Sequence, residues 1–323
     1  MLGVLAAAVA ALLAVLTSPG PAPTASSSGE PATAASSPAT GSVSSFRQDQ
    51  SDAELTGYWT PARRAKAIDA SVLSRGDRTS REAEPGREAL LGSQVAPYAG
   101  GGPTTRLEGA LFTTIGGTDF ACSASVVNAP GHDLVMTAGH CLHSGGLWGS
   151  FATNVIFIPG YAHGAAPYGT WHARQLTVST GWGYRRDFDE DAGFAAFRPI
   201  GGRHLQDVVG GGFSIAFAQG SAPTGIVGPQ LVLGYPKLPP FDGSTLMSCS
   251  GMPTPDPRGG HSLGLPCAMT AGASGGAWLS GFHDGTGTLD ALVSYAYSAS
   301  PGTIYGTWFG PSIRQLYDHA AGL

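Results

Sequence analysis

The sequence predicts an all-β domain over its C-terminal two thirds, preceded by a stretch of different texture. Two observations predict it. From Leu107 onward, short runs rich in Val, Ile, Leu, Phe and Thr recur, separated by Gly, Pro and Asp, which is the pattern of strands joined by turns. The 323 residues include 49 Gly and 24 Pro, yet 42% are hydrophobic, so turns are frequent while a core remains attainable. An all-β sandwich or a pair of barrels fits this texture.

Taken in order, the chain opens on an unbroken apolar run, Leu2–Leu16. It is shorter than the roughly 20 residues a membrane-spanning helix needs. No Lys or Arg follows before Arg47, so no basic cluster anchors it and a stable membrane span is not expected. Residues 1–25 are therefore expected to be a secretory signal peptide, cleaved near Pro23–Ser28, with an extracellular product. Thr17–Ser45 is almost entirely Ser, Ala, Pro, Thr and Gly, with one acid, Glu30, and cannot bury enough apolar surface to order itself. Gln48–Leu91 is richer in charge, with a possible short helix over Ala62–Ile68, and Tyr98–Pro103 reads as a flexible joint. Residues 26–105 are expected to be a low-complexity pro-segment or linker, with Arg87 and Arg106 as possible processing points of a zymogen.

The β-prone runs are Ala110–Ile115, Cys122–Val127, Leu134–Ala138, Val155–Ile158, Leu176–Ser179, Phe194–Phe197, Leu231–Leu233, Leu292–Ala296 and Thr303–Phe309. After them, Ile313, Leu316, Tyr317 and Ala320 recur at helical spacing behind Pro311, which predicts one C-terminal helix over Pro311–Ala321.

Charge excludes some functions. Only 12% of residues are charged and the net charge is −5, so no clustered basic face for nucleic acid is expected. All four cysteines (Cys122, Cys141, Cys249, Cys267) lie in the β-prone stretch; an even number in a secreted chain suggests disulfides, and no CxxC spacing suggests zinc or redox chemistry.

Three local signals carry chemistry. His140 stands in Thr137-Ala-Gly-His-Cys141, an acidic cluster spans Asp187-Phe-Asp189-Glu-Asp191, and Ser274 stands in Gly272-Ala-Ser-Gly-Gly276. A serine hydroxyl is a poor nucleophile until an imidazole takes its proton, and a carboxylate must hold that imidazole in the right tautomer. Glycines beside a serine allow a tight turn whose backbone N–H groups stabilise an oxyanion, each donor contributing on the order of a hundred- to thousand-fold in rate. The N–H groups of Gly272 and Ser274 are the candidates.

The order His, Asp, Ser and these motifs together resemble the chymotrypsin-like serine proteases. Cys267-Ala-Met-Thr leading into Gly272-Ala-Ser-Gly-Gly, followed by Trp278, looks closer to the secreted bacterial V8-like, glutamyl-endopeptidase-related branch. The resemblance covers residues 106–323 and implies two six-stranded antiparallel β-barrels with the active site between them. It implies His140 as general base, Ser274 as nucleophile and Asp191 as orienting acid, because Asp191-Ala-Gly-Phe-Ala resembles the family's Asp opening a buried strand. Asp189 and Asp187 are the fallbacks. The substrates implied are proteins or peptides, cleaved by a monomer without cofactor or metal. The cysteines fit the nearest-neighbour pairing, Cys122–Cys141 and Cys249–Cys267, among three possible, each loop contributing roughly 3 kcal/mol in the chain-entropy account.

Departures from the family pattern bear on activation and specificity. Ala273 stands where trypsin-type enzymes have the Asp that latches a new N-terminus, and Ala277 where Pro is usual. Ala268 stands where trypsin-like members have a pocket acid, and Leu292-Val-Ser-Tyr295 lacks the histidine of glutamate-specific members. A small or apolar residue before the scissile bond is the default.

Two other classes compete. Gly-x-Ser-x-Gly also fits an α/β-hydrolase esterase, with Asp290 and His319 following in that order, but Gly275, Gly276, Gly281, Gly285 and Gly287 disfavour the long helix that fold needs after its serine. A protease-fold binding module without turnover would have no chemical reason to keep all three catalytic groups. His140 and His143 at i, i+3 lack further ligands at metal spacing, and Trp171, Trp182 and Trp278 are expected in the core or rim.

Overall fold

The computed structural model describes residues 43–74, 95–218, 228–297 and 300–323. Its strands are β1 (Val43–Arg47), β2 (Ile68–Asp69), β3 (Ala96–Pro97), β4 (Glu108–Ile115), β5 (Thr118–Val126), β6 (Leu134–Thr137), β7 (Thr153–Pro159), β8 (Trp171–Ser179) and β9 (Gly193–Phe197). They continue with β10 (Ser214–Ile215), β11 (Gln230–Gly234), β12 (Met247–Gly251), β13 (Thr254–Pro255), β14 (Leu263–Pro266), β15 (Ala277–His283), β16 (Thr286–Ala296) and β17 (Thr303–Trp308). The helices are α1 (Asp52–Tyr58), α2 (Pro61–Lys66), α3 (Ser71–Ser74), α4 (Gly102–Leu107), α5 (Gly139–Leu142), α6 (Leu205–Val209) and α7 (Pro311–Ala320).

Each β-prone run falls in a strand to within a residue at its ends. In the first sheet, β4, β5, β6, β9, β8 and β7 pair antiparallel in a ring, so the sheet closes and removes its own edges. In the second, β14, β17, β16, β15, β11 and β12 pair antiparallel in that order. No ladder joins β12 to β14 among the described residues; β3 and β13 extend their outer edges by two residues each, and Cys249 on β12 is bonded to Cys267, directly after β14, which clamps the two sides of the sheet together. The protein is thus an all-β double barrel with a single long C-terminal helix. The alternation of helices and parallel strands that an α/β-hydrolase requires is absent from the described residues, and that reading is corrected. Asp290 sits on β16, while His319 on α7 bonds Ser45 on β1 through Nε2 at 3.1 Å.

Helix α7 begins at Pro311, whose missing N–H is no loss in a first turn. It buries Ile313, Leu316 and Ala320 on one face against β8 and β9. Trp171, Trp182 and Trp278 are all fully buried.

Residues 43–74 fall in the stretch expected as pro-segment or linker, and they are built onto the first barrel. β1 pairs antiparallel with β8 over Val43–Arg47, although this segment is Ser-rich and weakly β-prone. Ser51 caps α1 through a reciprocal bond with Glu54, and Pro61 opens α2 behind the Thr60 cap. Trp59 buries its ring against Phe112 at 5.5 Å and donates its indole N–H to Asn154 O at 2.5 Å. Tyr58 and Arg63 both bond the carboxylate of Asp119. This cover explains why β4 is buried at all eight positions, as a strand with both faces packed would be. Arg106 lies in α4 with its Nε buried, and Arg87 lies outside the described residues, as do residues 1–25. Among the described residues no helix is long and apolar enough to cross a membrane.

Candidate active site between the barrels

β6 and β9 are hydrogen-bonded neighbours with Thr137 opposite Gly193. The turn after β6 and the turn before β9 therefore leave the barrel at one end. The first turn is α5, which carries His140; the second is a 3₁₀ turn, Phe188–Glu190, which ends at Asp191. The register of one strand pair is enough to bring His140 and Asp191 together.

The Asp191 carboxylate is fully buried and takes three donors. Oδ1 accepts the backbone N–H of His140 at 2.8 Å, and Oδ2 accepts from His140 Nδ1 at 2.8 Å and from Ser294 Oγ at 2.5 Å. A bond from Nδ1–H leaves His140 Nε2 as the acceptor nitrogen. Nε2 is buried and has no hydrogen-bond partner, so the bond from Ser274 Oγ is not made in this conformation. The ring is steadied by Trp182, edge-on at 5.9 Å, whose indole N–H bonds His143 O at 2.8 Å. The fallback carboxylates are used elsewhere: Asp187 accepts the N–H of Asp189, and Asp189 accepts from the N–H of His261 and the hydroxyl of Ser262, both at 2.9 Å.

Ser274 comes from the second barrel, in the turn between β14 and β15. Ser123, on β5, ties that turn to the first barrel. Its N–H donates to Ser274 O at 2.8 Å and its hydroxyl to Gly272 O at 2.9 Å, while its own carbonyl accepts from Thr137 Oγ1 at 2.8 Å. Cys141, next to His140, has its sulfur 3.9 Å from the same Ser274 carbonyl. Gly275 has φ +85, and a Cβ there would collide with Thr137 Oγ1 and Ser123 O, so only glycine lets the serine turn approach the histidine turn this closely. Gly272 has φ +101, and among the described residues neither its N–H nor that of Ser274 is engaged.

The cysteines pair as Cys122–Cys141 and Cys249–Cys267. Cys122, His140 and Cys141 form the only group of possible metal ligands among the described residues, and the two sulfurs are bonded to each other, which removes them as ligands. His143 is likewise occupied, accepting from the Gly145 N–H at 2.9 Å, and burial lowers its pKa.

Three positioning residues escaped the sequence. Ser123 and Ser294 are lone serines in β runs and carry no local signal. Glu108 is fully buried where the barrels meet, accepting from Ser125 Oγ at 2.6 Å. A Glu opening a β-prone run gave no sign of that burial.

No protein-family model matches the chain, and no curated protein sequence does. Solved structures do. The thermostable serine protease AL20 from an extremophilic microorganism is 37% identical with a TM-score of 0.63, covering 68% of this chain and 99% of its own. The protease Anisep from Arthrobacter nicotinovorans is also 37% identical at a TM-score of 0.63, covering 69% and 98%. A Glu endopeptidase shares the fold at 17% identity and a TM-score of 0.55, covering 71% of this chain and 97% of its own. With that identity over almost the whole of two solved enzymes, and with its double barrel, the chain belongs to the chymotrypsin-like serine proteases and has a V8-related fold.

Proposed function

We propose that the protein is a secreted serine endopeptidase that hydrolyses peptide bonds through an acyl-enzyme on Ser274. The observation that carries this reading is the buried Asp191 carboxylate, bonded to both His140 N–H groups beside the turn that bears Ser274. His140 Nε2 takes the Ser274 proton as Oγ adds to the substrate carbonyl carbon. The N–H groups of Gly272 and Ser274 receive the oxyanion. As the C–N bond breaks, Nε2 returns the proton to the leaving amine, and water then releases the acyl group by the same steps in reverse.

The pocket beside Ser274 supports a small, uncharged side chain before the scissile bond. It is a cavity of about 40 Å³ whose walls include Met269, Thr270, Val293, Tyr295 and Ile304, with no charged residue among them. Asp256, behind it, is capped by the hydroxyls of Tyr295 and Tyr297 at 2.7 and 2.6 Å.

Two disulfides support an oxidising, extracellular destination. The solved proteases are covered almost completely while about a third of this chain has no counterpart in them, which supports a precursor whose extra residues precede the enzyme. We take residues 1–25 as signal peptide, 26–105 as pro-segment and 106–323 as the protease, acting on proteins or peptides as a monomer.

The test is labelling of the secreted protein with a fluorophosphonate, followed by mass mapping. An adduct on Ser274 that disappears in His140→Ala is expected. Labelling that persists in His140→Ala, or an adduct on another serine, would end the reading.

A further inference from the structure

The base and nucleophile assigned above are shut away from solvent. His140 has no exposed surface and Ser274 is 4% exposed. An endopeptidase needs both within reach of a polypeptide. Against the turns that carry them lies the chain's own segment 61–74.

This segment follows the cleft in three contacts. Over the first, α2 spans a cavity of about 370 Å³ between Pro61 and Ala65 on one side and Ala121, Cys122, Tyr235 and Lys237 on the other, and Lys237 Nζ bonds Ala65 O at 3.2 Å. Next, β2 pairs with β5, Ile68 opposite Phe120 and Asp69 opposite Ala121, immediately before Cys122 of the histidine-loop disulfide. Finally α3 packs against α5, which carries His140, and Ser71 shares with Ser274 the walls of the small pocket described above.

The conformation is not that of a substrate. A polypeptide cleaved in such a cleft lies extended, adding a strand to a sheet edge. Here Asp69 Oδ1 accepts both the N–H and the hydroxyl of Ser71, which bends the chain into the α3 turn at the pocket. A helical turn does not offer its carbonyl carbon to the serine as an extended strand does. Residues 43–60, with β1 in the sheet and Leu55 and Trp59 buried, hold the segment on the enzyme so that it meets the cleft as an intramolecular ligand.

We propose that residues 61–74 are a built-in inhibitor of this protease, seated across the cleft with Ser71 at the specificity pocket and held off the productive conformation by Asp69. The proposal rests on Ser274 being the nucleophile, and its test separates the two. The rate of fluorophosphonate labelling at Ser274 is measured on three intact full-length chains, each confirmed unprocessed by its mass: wild type, Ser71→Trp and Asp69→Ala. Trp is far larger than the Ser71 side chain that lines the pocket, so it crowds the segment there, and Ala removes the acceptor that bends the turn. The wild type is expected to label slowly, Ser71→Trp at least ten-fold faster and Asp69→Ala several-fold faster. Equal rates in all three overturn the inhibitor and leave the nucleophile standing. No adduct in any of the three overturns the nucleophile, and the inhibitor with it.

Discussion

At the scale of single residues, Asp191 works through the hydrogen that it does not own. The His140 backbone N–H can only donate, so it must meet an oxygen. If Asp191 is replaced by Asn, the amide oxygen takes that donor and the NH₂ group faces Nδ1, which then accepts. The proton moves to Nε2, and Nε2 no longer takes one from Ser274. We expect Asp191→Asn to lower kcat/KM on the order of 10⁴-fold with the fold intact, read by peptide hydrolysis and a thermal melt. Near-wild-type turnover would remove Asp191 from the mechanism. Glu108 makes the opposite point, a carboxyl kept neutral. Burial pushes its pKa from 4.5 up to about 8, and Oε2 has no partner. Between those pH values the folded chain binds more protons at this site than the unfolded one, so stability falls as pH rises through that window. Glu108→Gln keeps an acceptor for Ser125 and has nothing to ionise. It should flatten that fall and be the more stable protein at pH 8, by on the order of a few kcal/mol, as melting curves across pH would show.

At the scale of elements, two cross-links of nearly equal span do different work. The sequence separations are 19 for Cys122–Cys141 and 18 for Cys249–Cys267, so loop entropy assigns each about 3 kcal/mol. Cys249–Cys267 joins the two sides of the second sheet. Cys122–Cys141 joins β5 to α5, with Cys141 touching the Ser274 carbonyl. Paired Ala replacements should therefore lower stability comparably in denaturant titrations. Turnover per folded molecule should fall clearly further for Cys122/Cys141, and equal turnover in the two variants would deny that link a positioning role. Element by element, legibility followed local pattern. β4, β5 and β9 declare themselves by apolar runs, and α7 by its period and Pro311. β1, β12 and β14 contain Ser, Cys, Gly or Pro and are strands because a neighbour's ladder is waiting for them.

At the scale of the whole molecule, two barrels each supply half of a site that neither contains. The His140 turn and Asp191 leave one end of the first, Ser274 comes from the second, and Ser123 bonds across the boundary. By itself the sequence determined the all-β texture, the order of the His, Asp and Ser motifs and the terminal helix, because each is written in a few adjacent residues; the cysteine pairing, one of three it allowed, was decided by the fold. The register of β6 on β9 is what sets Asp191 against the imidazole; the sequence pointed to that acid only through a family resemblance, with Asp189 and Asp187 as fallbacks. Nor could it reveal Ser123, Ser294 and Glu108, whose partners lie 149, 103 and 17 residues away in the chain. Above all, residues 43–74 read locally as solvated linker, having little apolar periodicity, and become a cover only because Leu55, Trp59 and β1 find partners on a barrel formed by later residues. Local pattern encodes what a residue is suited to do; what it faces depends on segments far along the chain, and that only folding assembles.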